Sequence, residues 1–236
     1  MTTQLLFRDD AYLREAKTQV LGHTPEGGIV VQASVFYATS GGQPGDSGFI
    51  YWEGRKLEIA TAVRIEGGLI ALVPAEAAAL PREGVEVVQQ IDWTRRHKLM
   101  RMHTALHLLS VVIPLPVTGG QIGAERGRLD FMMPEPPVDV AALNTALNAL
   151  IARDLVVSTS FITDAELEAK PELVKTMSVR PPMGQGQVRL VQIGDIDLQP
   201  CGGTHVARTA EIGRVEIGKI ENKGKQNRRV NLMLLA

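Results

Sequence analysis

The sequence predicts an α+β protein in which a small antiparallel β-barrel, residues 1–92, precedes a two-layer α+β domain, residues 93–236. Three observations lead to this prediction. Alternating residues between glycines fill the first part, helical spacing of apolar residues begins after it, and strand-like runs return near the C-terminus. The 236 residues, 44% hydrophobic and 22% charged, suffice for two modest domains that each bury a core.

The N-terminal strands are predicted from β-branched and aromatic residues that alternate between glycine-containing turns. The runs are "GGIVVQASVFYAT", "GFIYWEGRKLEIATAVRIEGGLIALV" and "EGVEVVQQID". Gly-Gly and Glu-Gly pairs between consecutive runs are typical of the tight turns of β-hairpins, in which neighbouring strands run antiparallel. A series of short antiparallel strands of this kind favours a small barrel.

The C-terminal part mixes helices with strands. "HTALHLLSVV" and "VDVAALNTALNALIARDL" repeat apolar residues at helical intervals, and Asp139 is placed to cap the second helix. "TDAELEAKPEL" predicts a further short helix that Pro171 stops. Strands are predicted again in "QVRLVQIGD", "AEIGRVEIGKIENKG" and "RRVNLML".

Charge and composition exclude several classes of protein. The formal net charge is −1, so the chain is not a polycation, and a nucleic-acid contact would need a local basic patch. Because the sequence has neither a long apolar run nor a signal-peptide-like start, we expect no membrane segment. The single cysteine rules out an internal disulfide, and without an export signal it predicts a cytoplasmic protein whose thiol is buried, reactive or metal-bound.

Two histidines in "MRMHTALHLL" form the first candidate site. His103 and His107 are four residues apart, so they project from one helix face and can share a metal ion. A metalloprotease helix would carry Glu directly after the first histidine, where this chain has Thr104. Ordinary packing would explain this pair equally well. Cys201 and His205 repeat the spacing in "PCGGTHVART", however, and the two motifs hold three of the five histidines, which favours a Zn²⁺ site.

Several segments resemble a known family of editing domains. "RRHKLMRMHTALHLLS", "GGQIGAERGRLDF" and "VRLVQIGDIDLQPCGGTHVARTAEIG" are similar to the editing domain of alanyl-tRNA synthetase and to the free-standing AlaX alanyl-tRNA editing proteins. "SVFYATSGGQPGDSG" resembles the glycine-rich segment of the barrel that precedes that domain. The resemblance runs from about residue 25 to the C-terminus, and 236 residues leave no room for an aminoacylation domain. It implies a medium-length AlaX protein that acts in trans.

The resemblance also implies an activity and a cofactor. In this family the reaction is hydrolysis of the ester that joins serine, and sometimes glycine, to alanine tRNA. One zinc ion per chain would be held by four residues, His103, His107, Cys201 and His205. The ion could polarise the ester carbonyl, lower the pKa of a bound water or anchor the substrate amino group. A site closed by all four ligands would be structural, so we expect His205 to be the most weakly held ligand and to leave a position for water or substrate.

The general base is left open by the sequence, because no Glu lies at metalloprotease spacing. Attack assisted by the terminal ribose hydroxyl and attack by a metal-bound water both fit the motifs. The resemblance implies that Gln121 belongs to the editing pocket, where it would hydrogen-bond the substrate or water as part of the catalytic site. The alternative is an ordinary loop glutamine.

The glycine-rich segment "ATSGGQPGDSG" is neither a P-loop nor a dinucleotide fingerprint, so no nucleotide cofactor is expected and the editing would be independent of ATP. It is in part a hairpin turn, in which four glycines suit positive φ: Gly41, Gly42, Gly45 and Gly48. The resemblance implies that the loop binds substrate through Thr39, Gly41, Gly42 and Gln43, with Thr39 contacting the seryl hydroxyl. A pocket that hydrogen-bonds a hydroxyl rejects the substrate that lacks it, which is how serine would be distinguished from alanine.

Two basic stretches are candidates for tRNA contact. The first contains Arg95, Arg96 and Lys98, at the start of the histidine helix. The second, from Arg214 onward, includes four residues that we predict to contact phosphates, Lys223, Lys225, Arg228 and Arg229. Such contacts would position mischarged tRNA(Ala) without reading its sequence. The alternative for each residue is a solvated strand edge.

Three other functions fit part of the pattern. A zinc hydrolase of small esters or amides would keep the metal cluster and need no basic tail. A threonyl-tRNA-type editing domain shares the His and Cys spacing but not the glycine-rich barrel segment. A non-catalytic tRNA-binding module with a structural zinc would bind tRNA without turnover.

Overall fold

The computed structural model describes residues 2–137, 139–174 and 186–235. The chain divides into two compact units, Met1–His97 and Lys98–Ala236. The first contains a closed barrel and the second combines helices with two antiparallel sheets, so the predicted α+β class is confirmed.

The first unit is built around six strands that close into an antiparallel barrel in the order β2-β3-β7-β6-β5-β8. Its elements are β1 (Gln4–Leu5), α1 (Leu6–Asp9), β2 (Glu15–His23), β3 (Ile29–Val31), β4 (Ala33–Ser34), β5 (Gly48–Trp52), β6 (Arg55–Ile65), β7 (Leu69–Pro74) and β8 (Glu86–Ile91). Alternate residues point inward, so that β5 buries Ile50 completely while its neighbours Phe49 and Tyr51 are only partly covered. Closure leaves the barrel without an unpaired edge.

The turns of the barrel explain its glycines. Between β5 and β6 the predicted Glu-Gly pair forms a two-residue hairpin, with φ of 47° at Glu53 and 74° at Gly54. In the glycine-rich loop, Gly41 and Gly42 have positive φ, as predicted. Gly45 does not, and it is needed for another reason, because a Cβ there would lie 2.4 Å from the carbonyl oxygen of Ala62.

In the residues that the structure describes, the second unit contains one long helix, two shorter ones and two antiparallel sheets in the orders β14-β15-β10-β9 and β11-β12-β13. The elements from residue 93 onward are α2 (Trp93–Val112), β9 (Val117–Gln121), β10 (Arg126–Met132), α3 (Val140–Ala152), β11 (Val157–Thr163), α4 (Asp164–Glu168), β12 (Gln187–Ile193), β13 (Asp197–Pro200), β14 (Val215–Asn222) and β15 (Asn227–Leu234). The boundary between the units falls within α2.

The ends of the shorter helices follow the sequence signals. Asp139 caps α3 by accepting a hydrogen bond of 2.8 Å from the backbone N–H of Ala142, as predicted. Thr163 and Glu166 form a capping box at the start of α4. The helix ends at Glu168, before Pro171 opens a separate 3-10 turn.

The helix α2 packs directly on β10, and this contact positions the face that carries the histidines. A Cβ at Gly127 would lie 2.6 Å from the sulfur of Met102 and 3.2 Å from Cδ1 of Leu106, so only glycine allows the helix this close. Met102 is fully buried and Leu106 almost so. Among the described residues no helix has the length and apolar character needed to cross a membrane.

Candidate metal centre

Four metal-binding side chains meet in the second unit. His103 and His107 lie on consecutive turns of α2, and Cys201 and His205 lie on the loop that follows β13. Their ligand atoms all lie within 4.8 Å of one another. The structure therefore brings together all four residues that the sequence analysis names as ligands, across about one hundred residues of chain.

The spacing of these atoms suits a zinc ion. In a tetrahedral site with Zn–S of about 2.3 Å and Zn–N of about 2.05 Å, sulfur and nitrogen are about 3.5 Å apart. Here Sγ of Cys201 lies 3.4 Å from Nε2 of His103 and 3.3 Å from Nε2 of His205. The three histidines are between 5% and 8% exposed and Cys201 is half-buried as a residue, so the cluster lies largely inside the protein. One thiolate and three imidazoles form a donor set that fits Zn²⁺.

Asp197 orients one of the histidines from outside the cluster. Its Oδ2 lies 3.1 Å from Nδ1 of His107 and also accepts a hydrogen bond of 2.8 Å from Nε2 of Gln199. A histidine that donates its Nδ1–H to a carboxylate presents the Nε2 lone pair to a metal. Asp197 was not predicted from the sequence, although its place at the start of the strand that leads to Cys201 was a usable signal.

His205 is also held by a hydrogen bond on its outer nitrogen. Nδ1 lies 3.1 Å from Oγ1 of Thr104, and the ring is 5% exposed. The sequence analysis expects His205 to be the most weakly held ligand. In this structure His205 is as buried as the other histidines and has a hydrogen-bond partner of its own, as His107 has.

The loop that carries Cys201 is fixed to the neighbouring strand by Arg189. The Nη1 atom of Arg189, on β12, donates to the carbonyl oxygens of Cys201 and Gly203, both at 2.9 Å. In return, the backbone N–H of Cys201 donates to the Arg189 carbonyl at 3.1 Å. Sequence reasoning missed this residue too, since an arginine within an apolar strand gives no sign of the loop it contacts.

The cluster shifts the pKa values of its own members. For Cys201, burial opposes ionisation, but the neighbouring histidines, His103 first among them, outweigh it and hold the thiol pKa well below its usual value. For His205, burial and the neighbouring His103 lower the pKa to about 3, so this imidazole is neutral. Burial acts in the same direction on His107, but hydrogen bonds to Asp197 and Cys201 raise its pKa to about 9. A thiolate and a neutral imidazole are the forms that bind a metal ion, so metal binding would release a proton from His107.

The predicted substrate-binding residues of the first unit lie together in one loop. Thr39, Gly41 and Gly42 are exposed, whereas Gln43 is 1% exposed. Oγ1 of Thr39 accepts a hydrogen bond of 2.8 Å from the backbone N–H of Gly45. The hydroxyl thus has an internal role in shaping the loop, and Gln43 is too buried to offer its side chain to a ligand in this structure.

Gln121, the other predicted catalytic residue, lies at the end of β9. Its side chain is exposed, and its Oε1 accepts a hydrogen bond of 3.3 Å from Nε of Arg128. The amide is therefore oriented by a neighbouring strand and remains accessible.

The first predicted basic patch is largely taken up by internal contacts. Arg96 is completely buried, and its guanidinium forms an ion pair with Asp46. Nη1 of Arg95 donates to the Gly45 carbonyl at 2.8 Å, and Lys98 pairs with Glu125 at 3.3 Å. The prediction that Arg96 contacts tRNA does not fit this burial, because a phosphate cannot reach a side chain enclosed by the protein. We treat Arg96 as a structural residue.

The second predicted basic patch divides into two parts. Lys223 and Lys225 are exposed in the turn between β14 and β15, where Lys223 lies 3.4 Å from Glu221. Arg228 donates to the carbonyl of Pro134 and to Asn222. Arg229 forms two hydrogen bonds, of 2.8 and 2.9 Å, with Asp130. The lysines are thus better placed for phosphate contact than the arginines.

Comparison with known families identifies the class of protein to which this fold and site belong. Residues 188–231, which include Cys201 and His205, match the threonyl and alanyl tRNA synthetase second additional domain. Residues 8–95, which include the barrel, match the class II (A) tRNA synthetases. The chain is therefore built from domains that also occur in class II tRNA synthetases.

Full-length relatives narrow this class to one family. The chain is 35% identical to the alanyl-tRNA editing protein AlaX-M of Methanosarcina acetivorans over 99% of both chains. It is 32% identical to that of Saccharolobus solfataricus over 97% of both. The alanine–tRNA ligase of Pyrobaculum calidifontis is 34% identical over 93% of this chain but only 25% of the ligase. The chain belongs to the AlaX-M family of alanyl-tRNA editing proteins, which confirms the resemblance seen in the sequence.

Proposed function

We propose that this protein is a trans-acting aminoacyl-tRNA hydrolase that removes serine from mischarged tRNA(Ala), with zinc as its cofactor. The observation that supports the proposal most strongly is the convergence of His103, His107, Cys201 and His205 in a chain that is similar over its full length to alanyl-tRNA editing proteins. Relatives of this name provide the reaction class, and the cluster provides a site with suitable chemistry.

The four clustered residues would hold one zinc ion per chain. When bound, the ion would supply a Lewis acid for the ester carbonyl, provided that a substrate or water oxygen adds as a fifth ligand or replaces one of the four residues. The remaining work falls to the protein, in which Asp197 and Arg189 fix the positions of His107 and Cys201. In the proposed site the amide of Gln121, already oriented by Arg128, hydrogen-bonds the substrate or the attacking water.

Selection of serine over alanine is assigned to Thr39. Its hydroxyl accepts from Gly45, and a hydroxyl oxygen has a second lone pair for another donor. The seryl hydroxyl would occupy that position, whereas an alanyl group would leave it unfilled. Discrimination of this kind is much larger than discrimination by the size of one atom.

The test is deacylation of purified tRNA(Ala) charged with serine, glycine or alanine, followed by loss of the labelled ester. We expect serine to be released at least about 100-fold faster than alanine, since a hydrogen-bonding site rejects the analogue without the group by large factors. Thr39→Val should lower this ratio through slower release of serine, while Thr39→Ser should retain it. Equal rates for serine and alanine would contradict the proposed selectivity.

The same assay separates the competing functions. Faster release of serine from tRNA(Thr) than from tRNA(Ala) would indicate threonyl-type editing, which the matched domain description also includes. Binding of tRNA without ester loss would indicate a non-catalytic module. Hydrolysis of small esters with no preference for tRNA would indicate a general zinc hydrolase. Each of these results would overturn the proposal.

A further inference from the structure

Thr104 lies directly after His103, at the position where a metalloprotease helix carries its catalytic Glu. Its side chain is fully buried beside the cluster, and its Oγ1 has three neighbours. The Met100 carbonyl oxygen lies at 3.0 Å, Nδ1 of His205 at 3.1 Å and the backbone nitrogen of Val206 at 3.3 Å. One hydroxyl thus connects the histidine helix to the Cys-His loop.

The hydrogen-bonding capacity of a hydroxyl determines the role of each contact. A threonine has one proton to donate and two lone pairs to accept with. The Met100 carbonyl can only accept, so it takes the hydroxyl proton, and the backbone N–H of Val206 can only donate. One lone pair then remains for His205, whose Nδ1 must carry a proton to fill it. In that tautomer Nε2 of His205 has its lone pair free, and Nε2 is the atom that lies 3.3 Å from Sγ of Cys201.

We infer that Thr104 is a positioning residue of the metal centre: its hydroxyl fixes the tautomer and ring orientation of His205, so that Nε2 points to the metal. This inference rests on the metal site in the proposed function, but not on its substrate. Thr104 corresponds in role to Asp197, which contacts Nδ1 of His107 in the same way. Each of the two residues would orient a histidine of the other motif. Thr104 lies on the helix and orients His205 of the loop, whereas Asp197 lies before the loop and orients His107 of the helix.

The arrangement also explains why this position is not acidic. A carboxylate at residue 104 has no proton for the Met100 carbonyl and would add a buried negative charge, which costs free energy unless it is paired. A neutral hydroxyl gives His205 the same acceptor without that cost. The residue after the first histidine therefore serves the fourth ligand and does not act as a general base.

The experiment measures zinc affinity by competition with a chromogenic chelator, with no tRNA present. Thr104→Val keeps the shape and removes the hydroxyl, and Thr104→Ser is the matched control that restores it. We expect Thr104→Val to weaken zinc binding about 10- to 100-fold, as is usual when the partner of a metal-bound histidine is removed, and Thr104→Ser to lie within about threefold of the wild type.

A double-mutant cycle distinguishes positioning from a structural role. If Thr104 acts through His205, adding Thr104→Val to His205→Ala should change zinc affinity by less than about twofold, because the ligand it orients is already absent. An equal loss in both backgrounds would overturn the inference and assign Thr104 to packing. So would unchanged affinity in Thr104→Val. The visible spectrum of the Co²⁺-loaded protein gives a second readout: Thr104→Val should alter the ligand-field bands, and Thr104→Ser should not.

This outcome is separable from that of the proposed function. A wild type that binds zinc tightly but does not deacylate any tRNA would contradict the proposed reaction and leave the role of Thr104 intact. If the wild type deacylates Ser-tRNA(Ala) and the double-mutant cycle is additive, the proposed reaction would stand and the positioning role of Thr104 would be overturned. A wild type that binds no zinc would overturn both the cofactor and the role of Thr104.

Discussion

Each of the two units contains a buried polar centre. The two centres differ in whether the protein alone satisfies their charges and hydrogen bonds. In the first unit Nε of Arg96 donates to the two carboxylate oxygens of Asp46 at 3.0 and 2.9 Å. Nη1 donates to the Ala11 carbonyl at 3.0 Å, and Nη2 donates to the Val35 carbonyl at 2.7 Å. Asp46 also accepts from the backbone N–H of Tyr37. Cation and anion cancel, and the pair needs no further partner.

The cluster in the second unit is organised differently. Nδ1 of His107 and Nδ1 of His205 hydrogen-bond to the protein on the outside of the cluster. Sγ of Cys201 faces Nε2 of His103 and Nε2 of His205, and it accepts one long hydrogen bond, of 3.5 Å, from the backbone N–H of Gly203. Nitrogen lone pairs and a thiolate held together repel one another unless a cation lies between them. The Arg96–Asp46 pair is therefore satisfied by the protein's own charges and hydrogen bonds. The His and Cys cluster is supported by the protein on its outer side, and its ligand atoms need a cation between them.

The largest expected effect comes from removing a metal ligand. Cys201→Ala and His103→Ala should each lower zinc content well below one per chain and reduce deacylation by about 1,000-fold or more, since a metal contributes several kcal/mol to the transition state. Metal analysis and single-turnover rates check this. His23→Ala is the matched control, because this exposed histidine contacts the Pro81 carbonyl in the barrel and lies outside the cluster. Full activity of the metal-free protein would rule out a catalytic metal.

The opposite result, a loss of stability with unchanged zinc content, is expected at the Arg96–Asp46 pair of the first unit. Asp46→Asn leaves the buried Arg96 without its counter-ion, so the free energy of unfolding should fall by roughly 3 kcal/mol. Zinc content of the folded protein should not change. Denaturant unfolding at fixed zinc concentration measures the first quantity, and metal analysis the second. The double variant Arg96→Met with Asp46→Leu should recover part of the stability, because it removes both charges. An Asp46→Asn protein as stable as the wild type would show that the pair contributes little.

These two centres also show how far the sequence alone could lead. The ligands were predictable because their chemistry is rare: one cysteine and three of five histidines occur in two short motifs. The prediction that Arg96 contacts tRNA was wrong because its partner, Asp46, lies 50 residues away in the sequence. The sequence of a basic run does not show which of its arginines is buried. Thr104 and Asp197 have common side chains, and although both lie near the ligands in the sequence, the imidazole nitrogen that each contacts is visible only in the folded chain.

The fold was predictable to a similar degree. The barrel strands other than β2 and the cap of α3 follow from local alternation and capping signals. The predicted runs do not include strands β1, β2, β9, β10, β11 and β13. Among these, β9 contains Gly119 and Gly120, β10 has charged residues within it, and β11 exposes most of its length. Their pairing with partners such as β15 and β12, and not their own composition, makes them strands.

A smaller effect is expected from the exposed lysines of the tail, which differ from the internally paired arginines. Lys223→Ala with Lys225→Ala should raise the apparent KM for charged tRNA a few-fold and reduce the salt slope by about 1 for each phosphate that the variant no longer neutralises. The rate at saturating tRNA should stay nearly constant, because phosphate contacts act equally on ground and transition states. Lys17→Ala, at a 70% exposed lysine of the barrel, is the control. An unchanged salt slope in the double variant would contradict phosphate contact by the two lysines and leave Arg95 and Lys98 as the candidates for it.

The smallest expected effect concerns Asp130, which lies between Arg229 and Arg128 and explains why Arg229 is not free to bind phosphate. Burial raises the pKa of this carboxyl, but the two guanidinium groups outweigh it and hold the pKa below its usual value. Because the folded-state pKa is the lower one, the ion pairs stabilise the fold fully above the unfolded pKa of about 3.9, and this contribution disappears as the pH falls through the folded-state pKa. Asp130→Asn should therefore lower the free energy of unfolding by no more than about 1 kcal/mol at pH 7, with a difference from the wild type that shrinks below about pH 4. Urea unfolding between pH 3 and pH 7 measures this difference, and a gap that stays constant over the whole range would mean that Asp130 acts by shape and not by charge.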